Sequence, residues 1–417
     1  VTNVIIAGVG GVLLWRRLTP QLALRPSLFD KSLFARLAGL GGWVVVNQFG
    51  ALFFLGVDLL VVNRLLGADA TGRYGAWDWT SIGTMIVASA IGWGLVINQF
   101  DGNGIDILSS ENWVYGNFLG TDETGRIDQG NGASGVIITD GSGNIIGTNG
   151  DGIDDAAERN LISANFEGIS IYGQGSVNNV IAGNWLGVDA TGNAVLGNGD
   201  GIMLADGVSG TRIGTNSDGV SDALERNVIS GNNTGIYLGT TTSTTITGTI
   251  IAGNYIGTNA AGTAPLGNSD GILVVASEDT LIGGPEASDA NRIAHNLGSG
   301  ICQPNSGPVY FNNRFTRNEI YLNGALGIDL GKETTGSCDG VTANDLKDED
   351  EGANHLQNFP VIEESLLNEV TGSLNSTPNT TFTLDFYISQ ACDLNGYGEG
   401  QQFVGGLGVQ YKPAAIP

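Results

Sequence analysis

A mainly β chain is predicted, with a parallel β-helix of about ten coils at its centre and transmembrane helices before it. Three observations lead there: a phased repeat near 67 residues, short apolar runs punctuated by Gly and Asn, and an abrupt change of charge near Ile97. The 417 residues include 67 Gly with no Gly-X-Y period, which excludes collagen, and the 41% hydrophobic content is too high for a disordered polymer. Acidic residues outnumber basic ones 42 to 17, for a net charge of -25. Such a surface repels phosphate backbones, so no nucleic-acid partner is expected.

Charge divides the chain. Residues 1–97 carry seven Lys/Arg and four Asp/Glu, whereas residues 98–417 carry ten and 38. Residues 1–15, VTNVIIAGVGGVLLW, form an uncharged apolar run that lacks the charged start and cleavage site of a signal peptide and reads as part of a transmembrane helix. Residues 37–62 and 79–97 are each long and apolar enough to cross a bilayer, so about three spans are predicted in 1–97. Asn47, Gln48 and Asp58 fall inside the second span, where polar groups line a transport path or make helix contacts. Arg16, Arg17, Arg25, Lys31 and Arg36 place the first loop in the cytoplasm. A third span would then leave residues 98–417 in the cytoplasm.

The stretch DLLVVNRLLGADATGRYG at 58–75 resembles the middle of bacterial polysaccharide flippases of the MATE-like superfamily, and the resemblance extends over residues 1–97. It implies an inner-membrane location. About three helices supply neither the central cavity nor the second half that alternating access needs, so no transport is expected of this piece alone.

From residue 98 the chain repeats: GNFLGTDETG at 116–125, GNWLGVDATG at 183–192 and GNYIGTNAAG at 253–262 are offset by 67 and 70 residues. A second block recurs in phase at 143–165, 210–232 and, more weakly, 279–296. Apolar segments such as NNVIAGNWLG, GIMLADGVSGTRIG and RNVISGNNTGIYLG follow one another about every 22 residues, and each reads as one solenoid turn. Strands this short lack helical periodicity and are too short for a membrane barrel. Asn117, Asn184 and Asn254 are equivalent and are predicted to form a structural ladder along the stack.

These repeats resemble bacterial right-handed parallel β-helix surface proteins of the pectate-lyase-like group over residues 98–335. The sequence that follows resembles the segment closing such helices and an attached β-sandwich module, which divides the remainder into an acidic junction at 336–359 and a partial sandwich at 360–417. In TFTLDFYIS, Phe382, Leu384, Phe386 and Ile388 alternate with Thr383, Asp385 and Tyr387, which predicts a strand with one buried face.

The resemblance brings polysaccharide lyases and hydrolases into view, but their residues are missing. Arg159 and Arg226 recur in DDAAERN and SDALERN, as structural residues do, and the adjacent Asp154 and Asp155 lack the basic partners of a polygalacturonase-like site. No catalytic residue is assigned. Asp155 with Glu158, and Asp222 with Glu225, are spaced as capping boxes of short helical insertions, with a cation-binding loop as the other reading. Asp339, Asn344, Asp345, Asp348 and Asp350 form a denser oxygen cluster, read as either a calcium site or a solvated acidic linker. Cys338 and Cys392 are placed to form a disulfide in an exported protein, leaving Cys302 buried on a coil. Trp113, Trp185, Tyr172, Tyr237 and Tyr255 are candidates for stacking on sugars, although Trp185 and Tyr255, following a ladder Asn as Phe118 does, are expected to pack between coils.

The expected function is a non-catalytic scaffold displayed outside the cell for adhesion or glycan contact, with a polysaccharide-active lyase or hydrolase as the alternative and a flippase only for residues 1–97. The expected partners are carbohydrate or a cell-surface polymer, and the membrane through 1–97. Two accounts of the location conflict stay open: the third apolar segment does not span, or two coding fragments are joined near Ile97.

Overall fold

The computed structural model describes residues 90–91, 95–240, 242, 244–305, 312–332, 338–366, 369–391, 393 and 395–411. The predicted membrane segments at 1–15 and 37–62, and most of 79–97, lie outside the described residues. No helix among those described is long and apolar enough to cross a membrane. By contacts the chain divides into Val1–Ile82 and Gly83–Pro417, and the second unit is the one described.

Three eight-stranded parallel sheets stack in register, each coil giving one strand to each sheet, which is the arrangement of a parallel β-helix. The fourth coil shows the plan: Val180–Ala182 in the first sheet, Trp185–Leu186 in the second and Asp200–Ala205 in the third. Two strands of the first coil, Ala90–Ile91 and Val96–Ile97, lie inside the apolar segment 79–97 that was expected to be a membrane helix. Val96 and Ile97 pair with Phe118 and Leu119, and Ile97 enters the core. The β-helix therefore begins before residue 98.

The coils are longer than the sequence spacing suggested. Val180 pairs with Ile145 on one side and Arg212 on the other, steps of 35 and 32 residues that together make the 67-residue period. Each apolar segment read as one turn holds strands of two different sheets; NNVIAGNWLG contains both Val180–Ala182 and Trp185–Leu186, separated by a corner at Gly183-Asn184. One period is thus two coils, and the described residues form eight coils instead of about ten.

Alternation of inward and outward side chains builds the interior. Ile146, Ile181, Ile213, Ile251 and Ile282 form an inward column on the first sheet, and Leu119, Ile162, Leu186, Ile229, Ile256 and Ile293 one on the second, all fully buried. Each such side chain contributes about 1.5–3 kcal/mol of burial. Polar corners separate the sheets. Asn117, Asn160, Asn184, Asn227, Asn254, Asn291 and Asn318 run up the first corner, each side-chain amide donating to the next carbonyl oxygen at 2.8–3.2 Å. The predicted ladder exists, but Asn117 and Asn184 are two coils apart with Asn160 between them. A second ladder, Asn131, Asn165, Asn198, Asn232, Asn268, Asn296 and Asn323, runs up the next corner.

The insertions DDAAER and SDALER are turns, not helices. Their carboxylates fold back instead of capping a helix: Glu158 accepts from the Thr148 hydroxyl at 2.8 Å and Asn149 N–H at 3.2 Å, and Glu225 accepts from Thr215 at 3.0 Å and Asn216 N–H at 2.9 Å. In the third copy a single 3-10 turn forms at Ala287–Asp289.

After the last coil, Val361–Leu366 pairs with Glu369–Ser373 and Thr381–Ile388 with Gln402–Gln410, two antiparallel hairpins with no wider sheet among the described residues. Phe382, Leu384 and Phe386 are half-buried as expected, but Ile388 at the strand's end is exposed, and a register shift between Phe386 and Tyr387 leaves Val404 of the partner strand unpaired. This segment ends the stack. Glu399 accepts from the Asn323 amide at 2.9 Å where the next ladder residue would stand, Gly400 O takes the Ile320 N–H at 2.8 Å, and Asp385 takes the Thr316 hydroxyl at 2.5 Å.

Candidate functional site

The outer face of the third sheet carries Glu167, Asp200, Met203, Tyr237 and Asp270 half-buried, with Ser134, Ser170 and Thr234 buried among them. Seven of its eight strands carry at or just before their start a recurring triplet, a polar residue followed by Gly and then Ile or Val, which places Ser134, Glu167, Asp200, Thr234 and Asp270 in register on successive coils. Three residues further along, Ser170, Met203 and Tyr237 form a parallel column. Glu167 Oε2 accepts from the Ser134 hydroxyl at 3.0 Å and from Ser170, and the Tyr172 hydroxyl meets Met203 Sδ at 3.1 Å. Burial pushes the Asp200 carboxyl up, and the neighbouring Glu167 charge adds to this, while a Thr234 hydrogen bond opposes it. Burial also raises Asp270 against a Ser299 hydrogen bond, and burial with the Asp200 charge raises the Tyr237 phenol. Two carboxyl groups on adjacent strands, that of Asp200 raised by burial, beside a half-buried tyrosine can hydrogen-bond a polyhydroxylated chain.

The second sheet carries the aromatics, turned outward and half-buried instead of packed between coils. Trp185 lies under the Arg159 guanidinium, 4.4 Å from the ring centroid, and Tyr255 under Arg226 at 4.1 Å. The residue after each aromatic, Leu186 or Ile256, is the one that enters the core. Arg226 also donates to Gly253 O at 3.0 Å. Hairpin loops cover this face from alternate coils and stack through Ala190 N–H to Gly125 O at 2.8 Å and Ala260 N–H to Gly192 O at 2.9 Å. On the first sheet Trp113 packs 4.4 Å from Tyr115 and donates its indole N–H to Gly147 O.

No family model matches the chain. No solved structure matches it either. Over 72 residues it is 38% identical to the uncharacterized membrane protein EpsK of Bacillus subtilis (strain 168). That match takes in 17% of this chain and 14% of that protein's length.

The acidic cluster separates into three places. Carboxylate oxygens of Asp345, Asp348 and Asp350 come within 4.8 Å of one another. Asn344 instead exchanges hydrogen bonds with the Phe359 backbone at 2.7 and 3.0 Å, and Asp339 accepts from Lys332 N–H at 3.2 Å. Within the trio, Asp345 accepts from the Glu349 and Asp350 amides and from Asn358, Asp348 from Asn358 N–H and the Ser376 hydroxyl, and Asp350 Oδ2 from Lys332 Nζ at 3.4 Å. Asp350 Oδ1 is buried without a donor. This all-oxygen set fits the chemistry of calcium in kind, with Asp345, Asp348 and Asp350 as the residues that would hold it.

The disulfide joins Cys302 to Cys338, with Cα atoms 5.9 Å apart, and not Cys338 to Cys392, which lies outside the described residues. Cys302 stands on the outer column of the third sheet, opposite Leu273 and Asp329, within reach of the closing segment. Sequence reasoning missed Glu167, Asp200 and Asp270. Their signal was the Gly-Ile/Val triplet, which starts at Asn103, Ser134, Glu167, Asp200, Thr234, Asp270 and Ser299 in steps of 29 to 36 residues.

Proposed function

We propose that residues 90–417 act as a surface-displayed, non-catalytic scaffold of the right-handed pectate-lyase-like kind that holds a glycan chain along the outer face of the third sheet. The observation that carries this is the half-buried set Glu167, Asp200 and Asp270 beside Met203 and Tyr237 on coils spaced about 4.8 Å apart, with Ser134, Thr234 and Ser170 buried between them. A linear polymer lying along the axis would meet Glu167, Asp200 and Asp270 in one column and Met203 and Tyr237 in the next. Retention of the full chain on immobilised polysaccharides tests it: Tyr237→Ala should weaken retention at least tenfold, and unchanged retention would remove the face from consideration.

The same coils support an external location. With Ala90–Ile91 and Val96–Ile97 in strands, residues 79–89 are shorter than the roughly 20 residues a span requires. A cytoplasmic loop at 16–36 and one outward span at 37–62 then deliver the β-helix to the external side, which supports a membrane-anchored surface protein. Partial identity to a membrane protein agrees with an anchored start. Protection of residues 90–417 from protease added to intact cells would contradict it.

One observation favours an enzyme as the second reading: Glu167 and Asp200 are register partners on adjacent strands, and Asp200 is pushed towards its protonated form. Two neighbouring carboxyl groups are the parts of glycoside hydrolysis. New reducing ends that vanish in Glu167→Gln would establish this reading over the first.

A further inference from the structure

At the C-terminal end of the third sheet a cavity of about 550 Å3 opens between the last coils and the closing segment. Its floor continues the outer column: Leu273, Cys302 and Asp329 are register partners on three successive strands. Asp270 stands to one side, and Val341 and Tyr397 form the far wall. Two carboxylates therefore face a space whose lining contains no Lys, Arg or His.

Asp329 is the unusual member. It is 3% exposed, and its Oδ2 accepts the Gly340 N–H at 3.0 Å, but its Oδ1 is buried with no donor. A buried carboxylate oxygen left without a donor costs on the order of 1–3 kcal/mol, and a ligand that brings a donor recovers this. The loop opposite is held in shape: Asn395 donates to Ala325 O at 3.3 Å and accepts the Tyr397 N–H at 2.7 Å, and the Tyr397 ring stands edge-on to Phe359 with centroids 6.1 Å apart. Nearly half of the Tyr397 surface stays exposed, available to a flat partner.

We propose that this cavity binds a ring-sized ligand bearing a protonated primary amine, the chemistry of a sugar with a free amino group. The ammonium supplies the donor that Asp329 Oδ1 lacks, while the ring body lies against Leu273, Val341 and Tyr397, which line the same cavity. An anionic sugar would meet two like charges. A bare metal ion would leave most of the 550 Å3 to water, and the three carboxylates that do converge within 4.8 Å, Asp345, Asp348 and Asp350, are not in the lining. Asp270 belongs both to this lining and to the long glycan face, whereas Tyr237 lies outside the lining and reports on the long face alone.

The test is calorimetric titration of the full chain at pH 7 with glucosamine, N-acetylglucosamine and calcium chloride. Glucosamine should bind, acetylation of its amine should weaken binding at least tenfold, and calcium should not compete. Asp329→Asn should weaken glucosamine at least tenfold in a chain that melts no lower than the parent, which separates a lost contact from a lost fold. Absence of glucosamine binding, equal affinity for the acetylated sugar, displacement by calcium, or an unaffected Asp329→Asn chain would each overturn the proposal. Tyr237→Ala should leave glucosamine binding intact, so its effect on polymer retention reports on the long face alone.

Discussion

Asn227 sits near the middle of the first asparagine ladder, fully buried, and its removal gives the sharpest measure of what holds the coils in register. Its amide donates to Ile181 O at 2.8 Å and Asn254 Oδ1 at 2.9 Å, and its carbonyl oxygen accepts from the Asn184 N–H at 2.9 Å and the Asn184 amide at 3.1 Å. Asn227→Ala removes all four. At about 1 kcal/mol net for each bond the loss is about 4 kcal/mol, and the Asn184 N–H, left buried without an acceptor, adds about 1–3 kcal/mol. Long repeat arrays do not unfold as one unit, so hydrogen exchange resolved by coil is the suitable assay. Protection in the strands Val180–Ala182, Val228–Ile229 and Ile250–Ala252 should fall by about ten-thousandfold, since about 5–7 kcal/mol are lost and each 1.4 kcal/mol is a factor of ten. Asn193→Ala, on the surface with one donor from Asn259, should change it by less than about tenfold. A fall below tenfold for Asn227→Ala would refute the view that side-chain ladders carry the register.

Gly214 has φ +103°, and a Cβ there would stand 1.8 Å from Ala252 O, so Gly214→Ala should destabilise by more than about 3 kcal/mol, against about 1–2 kcal/mol for Gly219→Ala at φ +86° in open space; paired thermal melts check the gap. Cys302 and Cys338 close a loop of 36 residues, and Cys338→Ser should cost about 4 kcal/mol on the chain-entropy scale, while non-reducing peptide mapping should recover that pair with Cys392→Ser leaving it intact. Burial, with the charge of Asp339 adding, pushes the Asp329 carboxyl up from 3.8 to about 6, against the pull of the Gly340 N–H. Its contribution to stability is then full below pH 4 and lost as pH rises through about 6, so Asp329→Asn should raise the stability at pH 7.5 by about 3 kcal/mol and leave it unchanged at pH 4, read from melting curves at the two values. Calcium held by Asp345, Asp348 and Asp350 should raise the melting temperature of the full chain, and Asp348→Asn should abolish the rise.

The asparagines made the solenoid legible, because a buried amide that recurs in phase has few other uses in a β-rich chain. The coil length was not legible from the same residues. Asn117, Asn184 and Asn254 share one neighbourhood, GN-aromatic or Phe-Leu/Ile-G, and the intervening Asn160 and Asn227 sit in another, RN-Leu/Val-Ile-S, so similarity picked out every second coil. The cue for single coils was the Gly-Ile/Val triplet, whose variable first residue hid it. Asp345, Asp348 and Asp350 were found from local density, whereas Asp270 and Asp329 line one cavity only because strands 59 residues apart in sequence are two steps apart in the stack. The apolar run at 79–97 misled for a related reason. Val96 and Ile97 suit a lipid-facing helix and a buried strand equally, and pairing with Phe118 and Leu119 decides between them.

Alternate coils differ in their decoration: one carries a folded-back acidic turn such as 148–158, the next a hairpin such as 188–195, and like stacks only upon like. Growth and loss in such a molecule are therefore quantised. Deleting a single coil would set Ala260 opposite an acidic turn in place of the Gly192 carbonyl it now meets, whereas deleting a pair would restore every contact one storey down. Natural length variants of this stack should differ by multiples of about two rungs, roughly 9.6 Å of axis each, and a gene duplication that copied an odd number of rungs would leave a seam where the outer loops no longer match.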